Sequence, residues 1–488
     1  MGNVNPTRGL QQGDPLSPYL FLLCAMGLQS LIHQAEVDGH IRGVAICRNG
    51  PKVSYLFFAD DSVLFCRATE VECNKILEIL EVYERGSGQK INREKTNIFF
   101  SSNTPLPLQD QIYHLLGVPA ICQYEKYLGL PALVGRAKKQ SSIFLKERVL
   151  KKLQGWKEKL LSQAGREILI KAIIQVIPTY TMSCFKLPKG LVRELESLIR
   201  KFWWGYNGDS RKVHWVCWEK LCEAKEVGGM GFKEIEKFND ALLTKQVCRM
   251  INNPGSLCFR VFKARFFPNC SILEAKDSIA GSYAWKSILS ARDVIRKCMV
   301  WRIGNGQSVR VKEDKWLPRR DSSSIISPLP NTLLETRVSS LIDADRRGWK
   351  TEVIQEMFLP SEASVIMGIP LSIRNTEDRV IWAYTASGVY STSSAYKLLS
   401  TRDSPGSSNQ EPQRRFWKAI WKLRVPHKIK HFVWRACHNA LPTKCNLFRR
   451  KIINSEVCEL CCEGHEDLLR AVWKCRVVEG VWSCHSWA

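Results

Sequence analysis

The sequence predicts an α+β protein, and three observations support this prediction. One segment near the N-terminus, Tyr55-Leu-Phe-Phe-Ala-Asp-Asp-Ser-Val-Leu-Phe65, has apolar residues on both sides of a polar pair, as a β-hairpin does. Long stretches elsewhere place apolar residues three and four positions apart, which is typical of helices. The 488 residues are 45% hydrophobic and include 16 Trp, which excludes a mainly disordered chain. Such a length has room for about three domains.

The first predicted element is an apolar helix from Tyr19 to about Ile32. It follows a loop in which Gly13 permits a tight turn and Pro15 and Pro18 stiffen the helix entry. A helix of this length is too short to span a bilayer, and we expect no membrane partner.

The predicted hairpin carries Asp60 and Asp61 at its turn. Two carboxylates this close repel each other unless a cation lies between them, and hard divalent ions prefer such oxygen ligands. The alternative is a solvated Asp-Asp turn. A helix over about Thr69–Arg85 follows, then a glycine turn and a basic stretch in which Lys90 and Lys95 could face phosphate. The last predicted element before about residue 103 is a strand, and the prolines at 105 and 107 then break the chain.

A helical region is predicted from Ser141 to Ile177. Val149, Leu153, Trp156 and Leu160 form its apolar stripe, and a second helix begun near Arg166 ends at Pro178. Between residues 136 and 171 there are eleven basic and three acidic residues. This surface is either a solvated face or a grip on a nucleic-acid backbone.

Several shorter motifs have structural interpretations. The aromatic segments at 202–204 and 215–218 are predicted to pack in a core rather than to stack on bases. The glycines at 228–231 and the segment 301–306 are predicted turns, the second in a hairpin, and 403–412 is a predicted loop or linker.

The segment from residue 413 to 451 has twelve Lys and Arg and no acid. We predict a helix in it whose buried face is formed by Ile429, Phe432, Val433 and Ala436. A metal site at His427 and His431 is disfavoured, because lysines lie between them and no Glu follows the first His.

The net charge of +25 and the pI of about 9.4 indicate a polyanionic partner, and RNA or DNA is the first choice. The sequence shows no basic-then-apolar leader, and its cysteines follow no paired spacing. We therefore expect a reducing compartment, nuclear or cytoplasmic, rather than secretion. The oligomeric state is not predicted.

Three segments carry a resemblance to a known family. The run Arg8-Gly-Leu-Gln-Gln-Gly-Asp-Pro-Leu-Ser-Pro-Tyr-Leu-Phe21, the Phe-Ala-Asp-Asp hairpin and the stretch from Gly86 to Phe100 resemble, in this order and spacing, the palm of reverse transcriptases. The closest likeness is to non-LTR (LINE-type) retroelements of plants. The likeness continues through Lys126-Tyr-Leu-Gly-Leu-Pro131, Leu153-Gln-Gly-Trp-Lys157, Ala164-Gly-Arg-Glu167 and Lys201-Phe-Trp-Trp-Gly205, and covers nearly the whole chain.

The resemblance implies RNA-templated DNA synthesis, with Asp60 and Asp61 as catalytic ligands of Mg²⁺ and Lys95 near the triphosphate. It implies a template and nucleotide loop formed by Gly13, Asp14, Pro15, Leu16 and Ser17. The implied architecture is a partial right-hand palm (1–103), a helical thumb-like region (104–250), an α+β linker region (251–388) and a small helical zinc-knuckle domain (389–488).

The family carries a third catalytic Asp on a strand upstream of the Gly-Asp-Pro loop. Only seven residues precede Arg8 here, so we expect the chain to be truncated and inactive alone. Loss of one such ligand costs on the order of 4 kcal/mol of transition-state stabilisation, roughly a thousandfold in rate. The alternative function is a non-enzymatic nucleic-acid-binding protein that uses the basic thumb and tail.

The C-terminal region, from near Tyr390, resembles the zinc-binding domain of plant LINE-type reverse transcriptases. A Cys-x-x-Cys turn aims both thiolates at one ion, and Cys458 and Cys461 have that spacing. The family's second half has a His four residues before a Cys, but the His position holds Arg470 here. Cys475 is the third ligand, and His465 or Cys462 is the predicted fourth for Zn²⁺. The alternative is a knuckle of reduced cysteines that no longer binds metal.

Overall fold

The computed structural model describes residues 14–48, 50–118, 126–127, 129–131, 143–157, 161–205, 213–277, 281–319, 323–328, 336–343, 348–372, 376–401 and 410–484. The chain forms two compact units, one of Met1–Leu133 with Asn253–Gly281 and the other of Val134–Asn252 with Ser282–Ala488. Helices predominate, and the described strands form five two-stranded sheets, which agrees with the predicted α+β class. The division into four domains that the sequence suggests is not tested by these two units and remains a prediction.

The first unit is built on a small core between two helices and a hairpin. Leu28, Ile32, Ile41 and Ile79 are its buried centre. Its helices and strands are Ser17–Val37, Val44–Ala45, Lys52–Val53, Tyr55–Phe58, Asp61–Leu64, Glu70–Ser87, the 3₁₀ turn Arg93–Lys95, Leu106–Leu116, Lys126–Tyr127, Leu130–Pro131 and Leu257–Phe266.

The first helix is longer than the sequence pattern predicts. It runs over Ser17–Val37, 21 residues, because polar residues after Ile32 continue it to a turn at Asp38. The predicted length was therefore wrong, and this is the one helix in the described part of the chain with the length and composition of a membrane span. Only 17% of its most apolar window is buried in the structure. A single helix of this kind does not distinguish a membrane span from a helix that packs on another segment.

Two predictions about residues 96–107 were wrong. No strand forms at 96–100, since that segment finds no partner strand among the described residues and a strand needs a ladder of hydrogen bonds. The prolines do not simply break the chain. Pro105 precedes the helix Leu106–Leu116 and Pro107 lies in its first turn, where a missing N–H costs no hydrogen bond.

The second unit contains most of the helices. Leu145, Ile170, Trp203 and Trp434 lie in its largest core and are essentially inaccessible to solvent. Its α-helices are Ile143–Lys157, Gln163–Leu169, Thr179–Cys184, Lys189–Trp204, Trp218–Cys222, Ile235–Asn252, Tyr283–Ser290, Arg292–Cys298, Thr351–Met357, Pro360–Met367, Thr392–Thr401, Gln410–Lys422, His427–Cys437, Lys444–Arg449 and Arg476–Ser483. Its strands are Met299–Arg302, Ile342–Asp343, Gly348–Trp349 and Arg379–Trp382, with 3₁₀ turns at Lys225–Val227 and Val338–Leu341 and π segments at Ile170–Ile174 and Arg470–Lys474.

The predicted helical region is confirmed where the structure describes it, as Ile143–Lys157 and as Gln163–Leu169 with its π segment to Ile174. The predicted end at Pro178 was wrong, since Pro178 precedes the next helix, Thr179–Cys184. Val149 and Leu153 are buried on the helix Ile143–Lys157, and Trp156 packs partly buried beside them. Leu160, the last member of the stripe, lies outside the described residues. The core interpretation of the aromatic segments is confirmed as well, since Trp203 and Trp218 are buried.

The predicted hairpin at 301–306 was wrong in its pairing. The strand Met299–Arg302 pairs antiparallel with Arg379–Trp382, which lies far along the chain. The glycine loop after it instead surrounds the carboxylate of Asp378, which accepts hydrogen bonds from the backbone N–H groups of Gly304 and Gly306 at 2.7 and 2.9 Å. A second core lies nearby, centred on Val309, Trp316 and other residues of 303–366.

The predicted buried face of the helix His427–Cys437 was wrong at Ile429 and Phe432, whereas Val433 packs partly buried against the largest core. The buried residues are His431 and Trp434, whereas Ile429 and Phe432 are 40% and 47% exposed. Hydrophobic spacing alone favoured Phe432, but His431 has a buried acidic partner and Trp434 fills the space beside Trp203. Most of the predicted linker at 403–412 lies outside the described residues, and its last residues begin the helix Gln410–Lys422.

Candidate metal and nucleic-acid sites

The Asp-Asp pair lies at the end of a two-stranded hairpin, as predicted. Tyr55–Phe58 pairs antiparallel with Asp61–Leu64, and Phe58 opposes Asp61 in the last pair before the turn. One face of this hairpin, with Tyr55, Phe57 and Leu64, packs on the core of the first unit. The turn itself projects from that core, and both carboxylates are exposed.

The turn is strained at its first residue. Ala59 has a φ of 51°, a left-handed conformation that hairpin turns usually assign to glycine. An L-residue held in this region costs about 1 kcal/mol. Asp60 follows in the turn, and Asp61 lies in the first pair of the next strand.

The predicted template and nucleotide loop is described from Asp14 onward, and Gly13 lies outside the described residues. Asp14 Oδ1 accepts a hydrogen bond from the backbone N–H of Leu16 at 2.8 Å, and the Asp14 carbonyl accepts one from Ser17. The carboxylate therefore caps its own turn. Pro15 and Leu16 are exposed at the start of the helix.

Lys95 ends an exposed 3₁₀ turn that Asn92 caps, with its Oδ1 accepting from the Lys95 N–H at 3.1 Å. Within the described part of the chain, no ion pair or side-chain hydrogen bond joins Lys95 to Asp60 or Asp61. The structure brings the two aspartates together and places Lys95 on a separate exposed turn of the same unit.

Three of the four predicted zinc ligands lie together. The Sγ atoms of Cys458, Cys461 and Cys475, hereafter the cysteine cluster, all lie within 4.8 Å of one another. Cys458 and Cys475 are buried, and their Sγ atoms are 3.9 Å apart. The turn that holds the first two cysteines closes with the Cys462 N–H donating to the Cys458 carbonyl at 2.9 Å. The Cys458 N–H then donates to the Gly464 carbonyl at 3.1 Å, where Gly464 takes a φ of 76°.

The predicted fourth ligands lie outside this cluster. His465 is 67% exposed, and its Nδ1 lies 2.8 Å from Glu456 Oε1. Cys462 is exposed, and its Sγ faces the Glu459 carbonyl at 3.9 Å. The nearest side chain at the open side of the cluster is Arg470, whose guanidinium hydrogen bonds to Cys461.

The environment of Cys461 favours the thiolate. Its pKa is lowered to about 7 because the thiolate accepts hydrogen bonds from the backbone at Glu463 and from Arg470. The thiolate is also the form of cysteine that binds metals.

A buried acidic centre, which the sequence did not predict, holds the tail against the preceding helices. Glu167 Oε1 lies 2.7 Å from Lys171 Nζ and 2.6 Å from Lys225 Nζ, and its Oε2 lies 3.2 Å from His431 Nε2. Burial alone would raise the pKa of Glu167, but its hydrogen bonds with His431, Lys171 and Lys225 lower it to about 2. The only sequence signal was Glu167 itself, in a helical stretch otherwise rich in basic residues.

A glycine turn completes this junction. The Gly228 carbonyl accepts a hydrogen bond from Trp434 Nε1 at 2.7 Å and lies 2.7 Å from His438 Nε2. Gly228 has a φ of 96°, and a Cβ there would lie 2.7 Å from the Trp417 ring. The predicted turn at 228–231 is confirmed, and its glycine is required by this close approach.

The basic tail divides into structural and free cations. Lys430 Nζ donates to the Trp421 carbonyl at 3.0 Å, and Arg435 donates to the Ala440 carbonyl through Nε and Nη2. Burial lowers the pKa of Arg435. By contrast, Lys428 and Arg424 are exposed, beside the exposed apolar side chains that the helix His427–Cys437 turns outward.

Comparison with known proteins gives two family matches, one in each of the regions that hold these residues. Residues 2–130 match the family of reverse transcriptases (RNA-dependent DNA polymerases), and residues 390–482 match the zinc-binding domain in reverse transcriptase. The chain is 30% identical over 361 residues to a putative ribonuclease H protein of Arabidopsis thaliana, covering 72% of this chain and 57% of that protein. It is 41% identical over 142 residues to an uncharacterized mitochondrial protein of the same plant, 29% of this chain and 92% of that one. An uncharacterized 149 kDa protein of transposon TX1 from Xenopus laevis is 24% identical over 200 residues, 40% of this chain and 15% of that protein.

The Asp-Asp hairpin and these matches define the class: the chain belongs to the reverse transcriptase family. More particularly, the match of its C-terminal region to the zinc-binding domain in reverse transcriptase and its similarity to Arabidopsis proteins are consistent with the non-LTR (LINE-type) retroelement branch of plants. The chain spans 57% of the length of the first of these relatives.

Proposed function

We propose that the chain carries part of the active centre of an RNA-directed DNA polymerase, with Asp60 and Asp61 as the Mg²⁺ ligands. The observation that carries this proposal is the exposed pair of carboxylates at the strained end of a hairpin whose other face is fixed to a core. Carboxylate oxygens are the ligands that Mg²⁺ prefers. When bound, paired Mg²⁺ ions stabilise the attacking and leaving oxygens of nucleotidyl transfer.

The neighbouring segments have supporting roles in this proposal. The turn from Asp14 to Ser17, closed by its own hydrogen bonds, shapes the surface on which template and nucleotide lie. Lys95, exposed on its 3₁₀ turn, neutralises triphosphate charge. Asp14 does not serve as a metal ligand, because its Oδ1 caps the turn.

Binding of Mn²⁺, followed by electron paramagnetic resonance, tests the metal site without requiring catalysis. The 488-residue chain should bind Mn²⁺ in competition with Mg²⁺, and Asp60→Asn and Asp61→Asn should each weaken binding at least tenfold, since each removes a charged ligand. Asp110→Asn is the matched control, because Asp110 is exposed on a helix of the same unit. Equal affinities in all four proteins would contradict the assignment.

A second function, nucleic-acid binding without catalysis, is favoured by the tail. The tail has no acid between residues 413 and 451, and Arg424 and Lys428 are exposed there beside Phe432. Lys428 and Phe432 are four positions apart on one helix and therefore share a face. Exposed cations contact phosphates, and an exposed aromatic ring stacks on an unpaired base. The ligand of this surface is single-stranded RNA or DNA.

Salt dependence tests this second function. Binding of a fluorescent single-stranded RNA by the chain should weaken with salt, with a slope in log affinity of roughly −0.7 per phosphate contact. Lys428→Ala should reduce the slope by about one contact, and Lys276→Ala, which removes an exposed lysine of the other unit, should leave it unchanged. A slope near zero in the parent would exclude an electrostatic interface.

Zinc is the third component of the proposal. The cysteine cluster fits a thiophilic ion, and Cys458, Cys461 and Cys475 would hold it. The ion would cross-link the turn at 458–464 to the segment that follows Arg470, and so stabilise the C-terminal domain.

A further inference from the structure

The cysteine cluster has the spacing of three corners of a tetrahedron. Zinc-bound thiolates lie about 2.3 Å from the ion, which places two sulfur atoms about 3.8 Å apart. Cys458 and Cys475 have Sγ atoms 3.9 Å apart, and all three pairs of the cluster are within 4.8 Å. Three ligand positions are therefore formed by the fold itself.

The fourth corner has no protein donor within the described residues. His465 is held by Glu456 on the exposed side, and Cys462 faces a backbone carbonyl. The backbone of Cys462 is in the left-handed conformation, with a φ of 55°. Neither reaches the cluster without rebuilding the turn.

Arg470 lies at this open side. Its guanidinium hydrogen bonds to Cys461, and its Nη1 is 2.9 Å from the place a Cβ on Gly464 would take. Its backbone N–H donates to Asp467 Oδ1 at 2.7 Å, which fixes the start of the π segment from which the side chain extends. An arginine side chain donates hydrogen bonds and cannot ligate a metal.

Charge explains how an arginine is tolerated here. Three thiolates around Zn²⁺ would carry a net charge of −1, and the guanidinium of Arg470, which also lies 3.9 Å from Glu463 Oε2, would offset it beside Cys461. The arginine thus offsets the negative charge of the thiolates, but it does not supply the fourth ligand.

We propose that the cysteine cluster is an open zinc site with three thiolate ligands, whose fourth position takes an exchangeable donor from solution. The inference rests on the zinc binding proposed above and adds that Arg470 is a positioning residue, which orients the Cys461 thiolate and supplies no ligand to the fourth position. The class of ligand is a small neutral or anionic donor, such as water, an imidazole or a thiol.

Cobalt substitution of the full chain tests this inference, with imidazole as the probe. Co²⁺ in a tetrahedral thiolate site absorbs strongly in the visible range. The parent should show these bands, and imidazole should shift them in a saturable manner. Arg470→His should show bands that no longer respond to imidazole, because the new side chain closes the site.

Arg476→His is the matched control, since Arg476 is exposed and follows Cys475, the last residue of the cysteine cluster; its bands should respond as the parent's do. Parent bands that ignore imidazole would overturn the inference and point to a fourth protein ligand, which His465→Ala and Cys462→Ser would identify. Absence of tetrahedral bands would overturn it as well. Neither result affects the Mn²⁺ and RNA measurements, so failure of the proposed function is recognised separately.

Discussion

Glu167 shows how much a single buried residue decides in this protein. Its side chain is 10% exposed and contacts three different segments, through Lys171 Nζ, Lys225 Nζ and His431 Nε2. A buried carboxylate is tolerated only when it is paired, and removing its charge leaves the cations without a partner. The cost of such a change falls on the junction between the tail and the helices of the second unit.

Acid should therefore weaken the second unit through Glu167. The folded pKa of about 2 lies below the ordinary value of 4.5, so the stabilisation is complete above pH 4.5 and is lost as the pH falls toward 2. The difference corresponds to at most about 3 kcal/mol. Urea unfolding between pH 5 and pH 3 should show a steeper loss for the parent than for Glu167→Gln.

Glu352→Gln is the control for this measurement, because Glu352 is exposed on a helix of the same unit. It should retain the parent's pH dependence. A Glu167→Gln protein with the parent's stability and pH profile would show that the carboxylate contributes nothing to the junction.

Gly228 gives a second test at a single residue. Alanine there meets both a φ of 96° and a contact of 2.7 Å with the Trp417 ring. We expect Gly228→Ala to lower the free energy of unfolding by about 2–4 kcal/mol, measured by urea titration. Gly190→Ala, at an open helical position with nothing within 4 Å, should instead be neutral or stabilise by up to about 1 kcal/mol.

Among the helices and strands, the helix His427–Cys437 shows the largest difference between the buried face that the sequence predicts and the face that the structure buries. Its outward face carries Ile429 and Phe432, and its inward face carries His431 and Trp434. The Asp-Asp hairpin, by contrast, follows its sequence pattern directly. The difference arises because a hairpin forms from neighbouring residues, whereas the orientation of an amphipathic helix depends on what it meets across the core.

Two substitutions on this helix should therefore separate stability from binding. Trp434→Ala removes a fully buried ring beside Trp203 and should cost about 3–5 kcal/mol of unfolding free energy. Phe432→Ala should cost less than about 1 kcal/mol but weaken single-stranded RNA binding about tenfold, by loss of stacking. Thermal unfolding and fluorescence anisotropy measure the two effects. The reverse pattern, with Phe432→Ala the more destabilising, would reject the orientation of the helix.

At the scale of the whole molecule, the tail and the helices before it are one folded body. Trp417, Ile420 and Trp434 belong to the same core as Leu145 and Trp203, although more than 200 residues separate the two parts of the chain. Long-range burial of this kind makes the second unit cooperative, and its zinc-binding region is attached to a shared core.

Catalysis is a property of the whole chain and is tested as such. In a primer-extension assay on poly(rA)/oligo(dT) with Mg²⁺ or Mn²⁺, we expect no extension by the 488-residue polypeptide alone. The chain spans 57% of the length of its first relative, and loss of one metal-binding carboxylate from a polymerase site costs on the order of 4 kcal/mol. Asp60→Asn is assayed beside the parent. Extension by the parent that this variant abolishes would contradict the expectation.

The sequence by itself determined the features that depend on neighbouring residues. The Asp60-Asp61 hairpin, the helix after Thr69, the stripe at Val149 and Leu153 and the turn at Gly228 all follow from local periodicity, capping and glycine conformation. The family motifs are local in the same sense, since each is a short run of contiguous residues. For these features, the physical cause lies within one or two turns of chain.

Only the tertiary structure decided which side chains meet across the fold. It places His431 on Glu167, turns Phe432 outward, pairs Met299–Arg302 with Arg379–Trp382 and sets Arg470 rather than His465 beside the cysteine cluster. None of these pairs is close in sequence except those around the knuckle, where the sequence left His465 and Cys462 open as the fourth ligand and the structure brings neither to the cluster. Burial and charge pairing decide which side chains meet, because an ionic side chain is stable inside a fold only beside its partner.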